Sequence, residues 1–317
     1  MTNGKWGIII NPAAGNGFAR IFSTTVKEKF AQQPIDAVIR FTERRGHATE
    51  LADDLARQGC TVIIAVGGDG TANETARAIL HRNDVTFGMV SAGTGNDFAP
   101  ALGFSGHFTE ADWQAFFELN TVRMDVGKCN DNYFLNGMGL GFDAQVAAEN
   151  YNPEGAVKGG SGTKYLRHIL KNLILYKERM FHAEFDGRTR DAMTFMKTIG
   201  NGRRIGGGYF LTPKAIINDG LLDICLVEPL ALGERLKLFL KAPKGRHLDH
   251  PKVTYFHTDK IRVEFDKSVP HHLDGELFFC PNIRHFGFAE KAQHHFQRQG
   301  RALFRSARAE CINSVVA

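Results

Sequence analysis

The stretch TVIIAVGGDGTANETARAIL, residues 61 to 80, decides the class of fold. It begins with an apolar run, continues through a glycine-rich turn and ends in apolar residues at helical spacing. A strand that turns directly into a helix is one half of a βαβ unit, and the turn then lies at the carboxyl end of a parallel strand. The residues of the turn, GGDGT (67–71), therefore bear on function as well as on fold.

The same alternation runs through the first 125 residues. Further strand-like runs are GIII (7–10), DAVIRF (36–41) and VTFGMV (85–90), and segments with helical spacing separate them. This pattern predicts an α/β domain with a parallel, Rossmann-like sheet over residues 1–125.

The pattern changes after residue 125. Short runs rich in β-branched and aromatic residues, such as MTFMKTIGNG (193–202) and LLDICLVEP (221–229), are separated by Gly, Pro, Asn and Asp. They predict an all-β sandwich over residues 126–285, interrupted by one helix in GTKYLRHILKNLILYKERM (162–180). The basic residues 286–317 are expected to form a helical tail that packs back on the first domain.

The composition is that of an ordinary globular protein with room for two domains. The 317 residues are 43% hydrophobic and 23% charged, which excludes disorder, and a net charge of +5 favours an anionic partner only weakly. Five scattered cysteines without a CxxC pair predict reduced thiols in the cytosol. No apolar run is long enough for a signal peptide or a membrane-spanning helix. We therefore expect a cytoplasmic protein whose membrane contact, if any, is peripheral.

Three glycine-rich turns follow predicted parallel strands: NPAAGNG (11–17), GGDGT (67–71) and SAGTGND (91–97). Because the carboxyl ends of parallel strands share one edge of a sheet, these turns should converge on one site. Glycine lets the backbone N–H groups approach a ligand, and the following helix N-termini favour phosphate. Neither GxxxxGK[ST] nor GxGxxG is present. Asp69 and Asp97 would repel phosphates unless a divalent cation, for which Mg²⁺ is suited, lay between them.

Each of these features also has an interpretation without a ligand. Thr71 and Glu74 fit a capping box, which begins a helix unaided. NDG (218–220) is a good hairpin turn, and HLDGE (272–276) could be another, with solvated acids. The adjacent pair His271 and His272 is expected at the surface, with side chains that diverge because neighbours in a strand point to opposite faces.

Taken together, VGGDGTANE and SAGTGNDFA resemble the catalytic domain of the diacylglycerol kinase superfamily, which includes bacterial soluble lipid kinases and sphingosine kinases. The resemblance spans residues 7 to about 280 and continues, in order, through NPAAG (11–15), MDVG (124–127), FLNGMGLGFDAQV (134–146), NGRRIGGGYFLTPKAIINDGLLDI (201–224) and HLDGE. It implies an ATP-dependent lipid kinase with an α/β nucleotide domain, a β-sandwich substrate domain and an active site in the cleft between them. Pro100 departs from the family, which commonly has Arg there.

The resemblance assigns most nucleotide contacts to the three turns. Asp69, Asp97 and Asp125 match the acidic cluster expected to arrange the active-site Mg²⁺ through water, and Asp69 is counted with the catalytic residues. The residues that fall where the family binds ATP are Asn11, Pro12, Ala13, Ala14, Gly15, Thr42, Gly68, Asp69, Gly70, Thr71, Ala72, Asn73, Glu74 and Thr94.

In the second domain the resemblance implies two further sites. Asp219, with the backbone carbonyls of Ile216 and Leu221, matches a structural Mg²⁺ site. Glu276 matches the general base that takes the proton of the lipid hydroxyl, assisted by Asp274. Residues i and i+2 of an extended chain point to one side, so both carboxylates are expected to face one cleft.

A basic amphipathic segment offers a route to the lipid. Residues 157–181 contain six Lys or Arg (Lys158, Lys164, Arg167, Lys171, Lys177 and Arg179) against one acid, and five apolar residues share a helical face: Leu166, Ile169, Leu170, Leu173 and Ile174. The segment could lie on an anionic membrane surface. The alternative is a helix whose apolar side covers the β-domain and whose charges are solvated.

The sequence also bears on two other functions. A soluble-substrate kinase such as NAD kinase shares GGDGT, but GTGNDFA and the DGE motif match the lipid branch. A nucleotide- or lipid-binding module without turnover is disfavoured, because the acids at 69, 97, 125, 274 and 276 are all present. A nucleic-acid partner is not expected, since the basic stretches lack a recognition module. The sequence identifies neither the acceptor lipid nor the oligomeric state, although a homodimer is compatible with it.

Overall fold

The structure is a computed structural model that describes residues 4–149, 162–288 and 294–297. The described chain divides into two units. The first comprises residues 4–125 together with residues 294–297, and the second comprises residues 126–149 and 162–288.

The first unit is built on a six-stranded sheet in the order β2-β1-β3-β4-β16-β5. The strands β1, β2, β3 and β4 are parallel to one another. The strand β16 is parallel to β4 and antiparallel to β5, so β5 is the one antiparallel strand of the sheet in the described chain. Its strands are β1 (Lys5–Ile10), β2 (Ala37–Phe41), β3 (Cys60–Gly67), β4 (Thr86–Ser91), β5 (Thr121–Met124) and β16 (His294–Gln297). Its helices are α1 (Phe18–Ala31), α2 (His47–Arg57), α3 (Asp69–Ile79) and α4 (Glu110–Phe117).

The central strands β1 and β3 are buried along almost their whole length, as expected for a parallel sheet covered by helices on both faces. The apolar face of α2 is made of small residues and Leu55, which packs where a side chain on Gly7 would stand. The expected α/β architecture with a parallel sheet is confirmed.

The predicted helical tail is wrong for the part that the structure describes. Of the predicted tail, residues 286–288 end the strand β15 (Glu276–Phe288), and residues 294–297 form β16. The strand β16 lies between β4 and β5 in the sheet and pairs with both. An extended segment can hydrogen-bond to the backbones of both neighbouring strands, whereas a helix could not. Residues 298–317 lie outside the described residues.

The second unit contains a ten-stranded antiparallel sheet in the order β13-β12-β11-β8-β14-β15-β6-β7, with the hairpin of β9 and β10 attached to β14. Its strands are β6 (Gly127–Cys129), β7 (Asn132–Phe134), β8 (Gly137–Gly141), β9 (Arg179–Phe185), β10 (Arg188–Thr194), β11 (Met196–Gly200), β12 (Leu222–Val227), β13 (Val253–Thr258), β14 (Lys260–Leu273) and β15. Its helices are α5 (Phe142–Ala148), α6 (Gly162–Leu175) and α7 (Leu232–Lys241).

The long strand β14 makes the sheet a sandwich. It pairs with β9 near its start and with β8 near its end. As a result, Phe181 of β9 and Ile199 and Ile224 of the β11–β12 side lie in one apolar core. The opposite face of β11 and β12 is covered by the three helices, through residues such as Val146 and Leu173. In the described part of the chain, no helix has the length and apolar character needed to cross a bilayer.

Candidate active site

The three glycine-rich turns of the first unit meet at the carboxyl edge of the parallel sheet. Asn11 follows β1, and its side-chain amide donates a 3.0 Å hydrogen bond to the hydroxyl of Thr71 in the next turn. The backbone N–H of Ala92, after β4, donates to the carbonyl of Gly67 at 2.8 Å. A Cβ on Gly93 would clash with the Cα of Gly68. The second and third turns therefore pack backbone against backbone, which only glycine permits.

Asp69 is the link between the second and third turns. One of its carboxylate oxygens accepts a 3.0 Å hydrogen bond from the backbone N–H of Asp97, and the other accepts a 2.9 Å bond from that of Phe98. The carboxylate thus holds the SAGTGND turn in place from the first residue of α3. Sequence reasoning assigned Asp69 to magnesium and did not anticipate this second role.

The helix α3 begins at Asp69, after Gly68, and no side chain caps it. The capping box of Thr71 and Glu74 is therefore wrong. Thr71 instead contacts Asn11, and a carboxylate oxygen of Glu74 accepts a 3.0 Å hydrogen bond from the backbone N–H of Gly46 before α2. An uncapped helix N-terminus beside glycine-rich turns suits a phosphate.

The residues predicted to bind ATP divide by exposure. Ala13, Gly70 and Thr94 are exposed at the tips of the three turns. Pro12, Ala14, Gly15, Gly68 and Glu74 are partly exposed, and Asn11 is too. Four others are buried: Thr42, Thr71, Ala72 and Asn73. Pro100 lies in a short 3₁₀ turn, Ala99–Leu102, that follows the third turn.

Asn96 was missed by sequence reasoning. Its amide donates to the carbonyls of Gly93 and Gly106, at 2.9 and 2.6 Å, and its carbonyl oxygen accepts from the N–H of Gly93. The residue has a φ of 51°, in the left-handed region that asparagine tolerates better than most residues. An asparagine beside two glycines was the available signal.

The three acids of the first unit that were predicted to arrange magnesium have different surroundings. Asp97 is buried, Asp125 is half-buried after β5, and Asp69 uses both oxygens on backbone N–H groups. Among the residues that the structure describes, no three Asp, Glu, His or Cys side chains lie close enough to hold a metal ion together. A hydrated Mg²⁺, which needs few direct carboxylates, is compatible with this arrangement.

In the second unit, Asp274 and Gly275 form the two-residue turn between β14 and β15. Their φ angles are 48° and 84°, and Leu273 pairs directly with Glu276. The extended conformation expected for residues 274–276 is therefore wrong. An Asp-Gly pair favours a tight two-residue turn, since both residues tolerate a positive φ. The alternative of a hairpin turn is right.

The acid of that turn is partly buried and bound by backbone groups, however. Asp274 accepts hydrogen bonds from the backbone N–H groups of Leu135 (2.7 Å), Asn136 (3.0 Å) and Gly137 (2.9 Å). It binds the start of β8 to the hairpin. Asp274 is thus placed to position the neighbouring Glu276, which begins β15 and is half-buried.

The histidine pair before the turn is buried, so its expected surface position is wrong. His271 pairs with Leu140 and Phe278, and its ring stacks on that of Phe278 with centroids 5.7 Å apart. Burial lowers the pKa of the His271 imidazole to about 4. The two side chains do lie on opposite faces of β14, and His271 shares its face with Glu276 across the hairpin.

His272 lies on the helix-covered face of the sheet. Its Nε2 is 3.6 Å from a carboxylate oxygen of Asp143, the second residue of α5. Both atoms reach over Gly139, where a Cβ would clash with each of them. The contact between His272 and Asp143 therefore requires glycine at position 139, the middle glycine of GMGLGFDA.

Lys197 occupies the same side of the sheet as His271, two strands away, since both pair with Leu140 of β8. It is only 2% exposed, and its Nζ lies 3.4 Å from the ring centroid of Phe181 and 4.4 Å from that of Phe265. Burial lowers the pKa of the ammonium group well below its usual range. The inward position of Lys197 in the alternating strand was the signal that sequence reasoning passed over.

The predicted structural magnesium ligands lie together in one exposed turn. A carboxylate oxygen of Asp219 accepts a 3.0 Å hydrogen bond from the N–H of Leu221, and Gly220 has a φ of 74°. The ligands predicted from Ile216, Asp219 and Leu221 are all oxygen atoms, the type that Mg²⁺ prefers, and the structural magnesium site stays a prediction. The nearby carboxyl of Asp223 is bonded to Tyr255 at 2.5 Å, and burial raises its pKa to about 6.

Comparisons with known proteins agree with this architecture. Residues 5–129 match the diacylglycerol kinase catalytic domain, and residues 136–281 match the YegS C-terminal NAD kinase beta sandwich-like domain. A protein of Chromohalobacter salexigens named "Probable lipid kinase YegS-like" is 32% identical over 251 residues, which are 78% of this chain and 79% of that protein. A protein of Bacillus subtilis named "Diacylglycerol kinase" is 28% identical over 275 residues, 85% of this chain and 88% of the other.

Solved structures share the fold. One from Bacillus anthracis has a TM-score of 0.75 at 24% identity, covering 93% of this chain and 97% of that one. Another, of a diacylglycerol kinase from the same organism, has a TM-score of 0.71 at 19% identity, covering 96% of this chain and all of the other. The chain belongs to the family of diacylglycerol kinases and YegS-like lipid kinases, so the resemblance read from its motifs is confirmed.

Proposed function

We propose that the protein transfers the γ-phosphoryl group of ATP to the hydroxyl of a lipid such as diacylglycerol. The observation that carries this proposal is the bridge from the Asp69 carboxylate to the backbone of Asp97 and Phe98. It joins two glycine-rich turns beside an uncapped helix N-terminus, an arrangement suited to the phosphates of a nucleotide. Membership of a lipid kinase family supports the same reading.

In the proposed reaction, the lipid oxygen forms a bond to the γ-phosphorus while the bond from that phosphorus to the β–γ bridging oxygen breaks, and ADP leaves. Glu276 accepts the hydroxyl proton, and Asp274 holds the hairpin that presents it. Mg²⁺, arranged through water by Asp69, Asp97 and Asp125, would neutralise phosphate charge. A second ion held by Asp219 and the carbonyls of Ile216 and Leu221 would stabilise the turn that precedes β12.

The substrate implies where the enzyme works. A lipid acceptor resides in a membrane, so the protein would meet it as a peripheral protein, and we propose the cytoplasmic face. Cys60, Cys129 and Cys225 are buried and unbridged, as expected of a reducing compartment.

A soluble-substrate reaction is the second candidate, because the family description of the second domain refers to an NAD kinase-like β-sandwich. An inactive binding module is the third. The test is to incubate purified protein with ATP, Mg²⁺ and a total lipid extract, and to identify any phosphorylated lipid by mass spectrometry. Conversion of NAD to NADP, with no lipid phosphorylated, would favour the second candidate, and turnover of neither would favour the third.

Variants of the two acids link this activity to the site. We expect Asp69→Asn and Glu276→Gln each to lower kcat/KM for lipid phosphorylation by roughly a hundredfold or more. Asp54→Asn, at an exposed acid in α2, serves as the matched control and should retain activity.

A further inference from the structure

The helix α6 leaves part of its apolar face uncovered. Ile169 and Leu173 are buried in the core beside the β-sheet. Leu166, Leu170 and Ile174, at positions i, i+4 and i+8, are between 44% and 63% exposed. The shared apolar face predicted for this helix is therefore divided into a packed part and an exposed stripe.

The helix α7 repeats this arrangement, which sequence reasoning missed. Its buried face includes Leu238. Leu232, Leu236 and Leu240, again at i, i+4 and i+8, are between 47% and 67% exposed. Two neighbouring helices thus each carry an exposed apolar stripe at the same spacing, and exposed apolar patches of this kind mark interaction surfaces.

Basic residues lie beside both stripes at the same spacing. Arg167 and Lys171 each follow a leucine of the α6 stripe by one position, and Lys237 and Lys241 do the same on α7. One position is about 100° around a helix, so the cations line one side of each leucine stripe. All four side chains are exposed.

The acids near these helices are engaged within the protein. Glu178 pairs with Arg235 at 2.5 Å, and Glu234 pairs with Lys252 at 2.8 Å. Glu149 pairs with Lys171 at 2.9 Å, so within the described residues Lys171 is the cation of the four whose charge is offset by an ion pair. The surface that remains is apolar and positive.

The two helices are also fastened to each other. The guanidinium group of Arg235, in α7, donates hydrogen bonds to the carbonyls of Leu173 (2.8 Å) and Tyr176 (3.1 Å) at the end of α6. The guanidinium also lies 4.9 Å over the ring of Phe195. The stripes are therefore carried by two helices that are hydrogen-bonded to each other through Arg235.

We infer that the exposed stripes of α6 and α7, with their flanking cations, form a docking surface for an anionic phospholipid bilayer. Leucines would enter the boundary between headgroups and acyl chains, while Arg167, Lys237 and Lys241 contact anionic headgroups. This inference rests on the proposed function, because a lipid kinase has to reach an acceptor that stays in the membrane. The charge of the surface favours a bilayer over a second copy of this chain, which would bring like charges together.

The test is sedimentation of the full-length protein with vesicles, without ATP. We expect binding to phosphatidylglycerol–phosphatidylcholine vesicles, and little binding to pure phosphatidylcholine. Leu236→Ser with Leu240→Ser should lower the partition coefficient roughly tenfold or more, and Lys237→Gln with Lys241→Gln should remove much of its salt dependence. Ile21→Ser in α1, at a residue that is 77% exposed, is the matched apolar control and should bind as wild type.

Each outcome decides between alternatives. Wild-type sedimentation of both α7 variants, or no binding to anionic vesicles, overturns the docking surface. A dimer in size-exclusion chromatography that the leucine variant dissociates also overturns it, because the stripes would then join two copies. Phosphorylation in detergent micelles should be unaffected by the α7 changes, whereas vesicle binding without any lipid phosphorylation would count against the proposed function alone.

Discussion

The carboxylate of Asp274 accepts a 2.7 Å hydrogen bond from the backbone N–H of Leu135, which lies 139 residues earlier in the chain. Two further N–H groups, of Asn136 and Gly137, donate to the same carboxylate. The DGE motif is therefore tied to the FLNG segment, and the two acids of the motif have different surroundings. Asp274 accepts from three backbone N–H groups within the turn region, and Glu276 is the first residue of β15.

This difference predicts that the two acids can be separated by experiment. Asp274→Ala leaves three backbone N–H groups without their acceptor and should lower the free energy of unfolding by about 2–4 kcal/mol. Glu276→Gln keeps the size and the hydrogen-bonding oxygen of the side chain, so it should change the free energy of unfolding by less than about 1 kcal/mol while lowering kcat/KM about a hundredfold or more. Urea unfolding, with activity measured on the same samples, checks both. Equal destabilisation by the two changes would contradict the positioning role of Asp274.

The contact between the second and third turns makes a similar prediction about glycines. Gly93→Ala would force the Cβ into the Cα of Gly68, separate the two turns and weaken nucleotide binding, with a loss of about 1–3 kcal/mol in stability. Gly233→Ala in α7 is the matched control, because a Cβ there meets no atom within 4 Å, the position lies outside the candidate site and alanine favours a helix. Thermal unfolding and ATP titration of both variants would test this, and equal tolerance of the two changes would refute it.

The buried amine of Lys197 should lower the free energy of unfolding at neutral pH. Its pKa is lowered in the folded state, so the unfolded chain binds more protons, and stability should rise with pH up to about 10.4. Lys197→Met, which fills the same space between Phe181 and Phe265 without the amine, should stabilise the protein by roughly 1–3 kcal/mol at pH 7. Urea unfolding at pH 7 and 9 provides the measurement. A destabilised variant would instead mean that the cation–aromatic contacts outweigh burial.

His271 should make the protein sensitive to acid. Its pKa of about 4 in the folded state lies below the usual value near 6.5, so the unfolded chain takes up the proton first as pH falls. The contribution is complete above pH 6.5 and is lost between pH 6.5 and 4, by up to about 3 kcal/mol.

His271→Leu keeps an apolar contact with Phe278 and lacks this loss. The difference in unfolding free energy between wild type and variant should therefore change over pH 4–6.5 and stay constant above it. A difference that is flat over the whole range would rule out a buried neutral histidine.

The turns of the first unit were predictable because their information is local. A strand followed by glycines and a helix specifies a βα turn, and parallel strands bring such turns to one edge. The role of Asp69 as a bridge was not predictable, since its partners lie 28 and 29 residues away and are backbone groups that any residue would supply. The expected capping box failed for a related reason, because Thr71 and Glu74 found tertiary partners instead of capping the helix.

The sequence by itself determined the family, the two classes of domain and the turns that would gather around a nucleotide, because periodicity and motif order are properties of the chain. Only the tertiary structure decided which polar residues are buried and which apolar ones are exposed. His271 and Lys197 look like surface residues until β8 and the core aromatics are placed beside them, and the leucines of α7 look like core until their helix is seen packed through its other face. The burial of a side chain depends on which distant segments of the chain pack against it, and the local sequence does not determine those contacts.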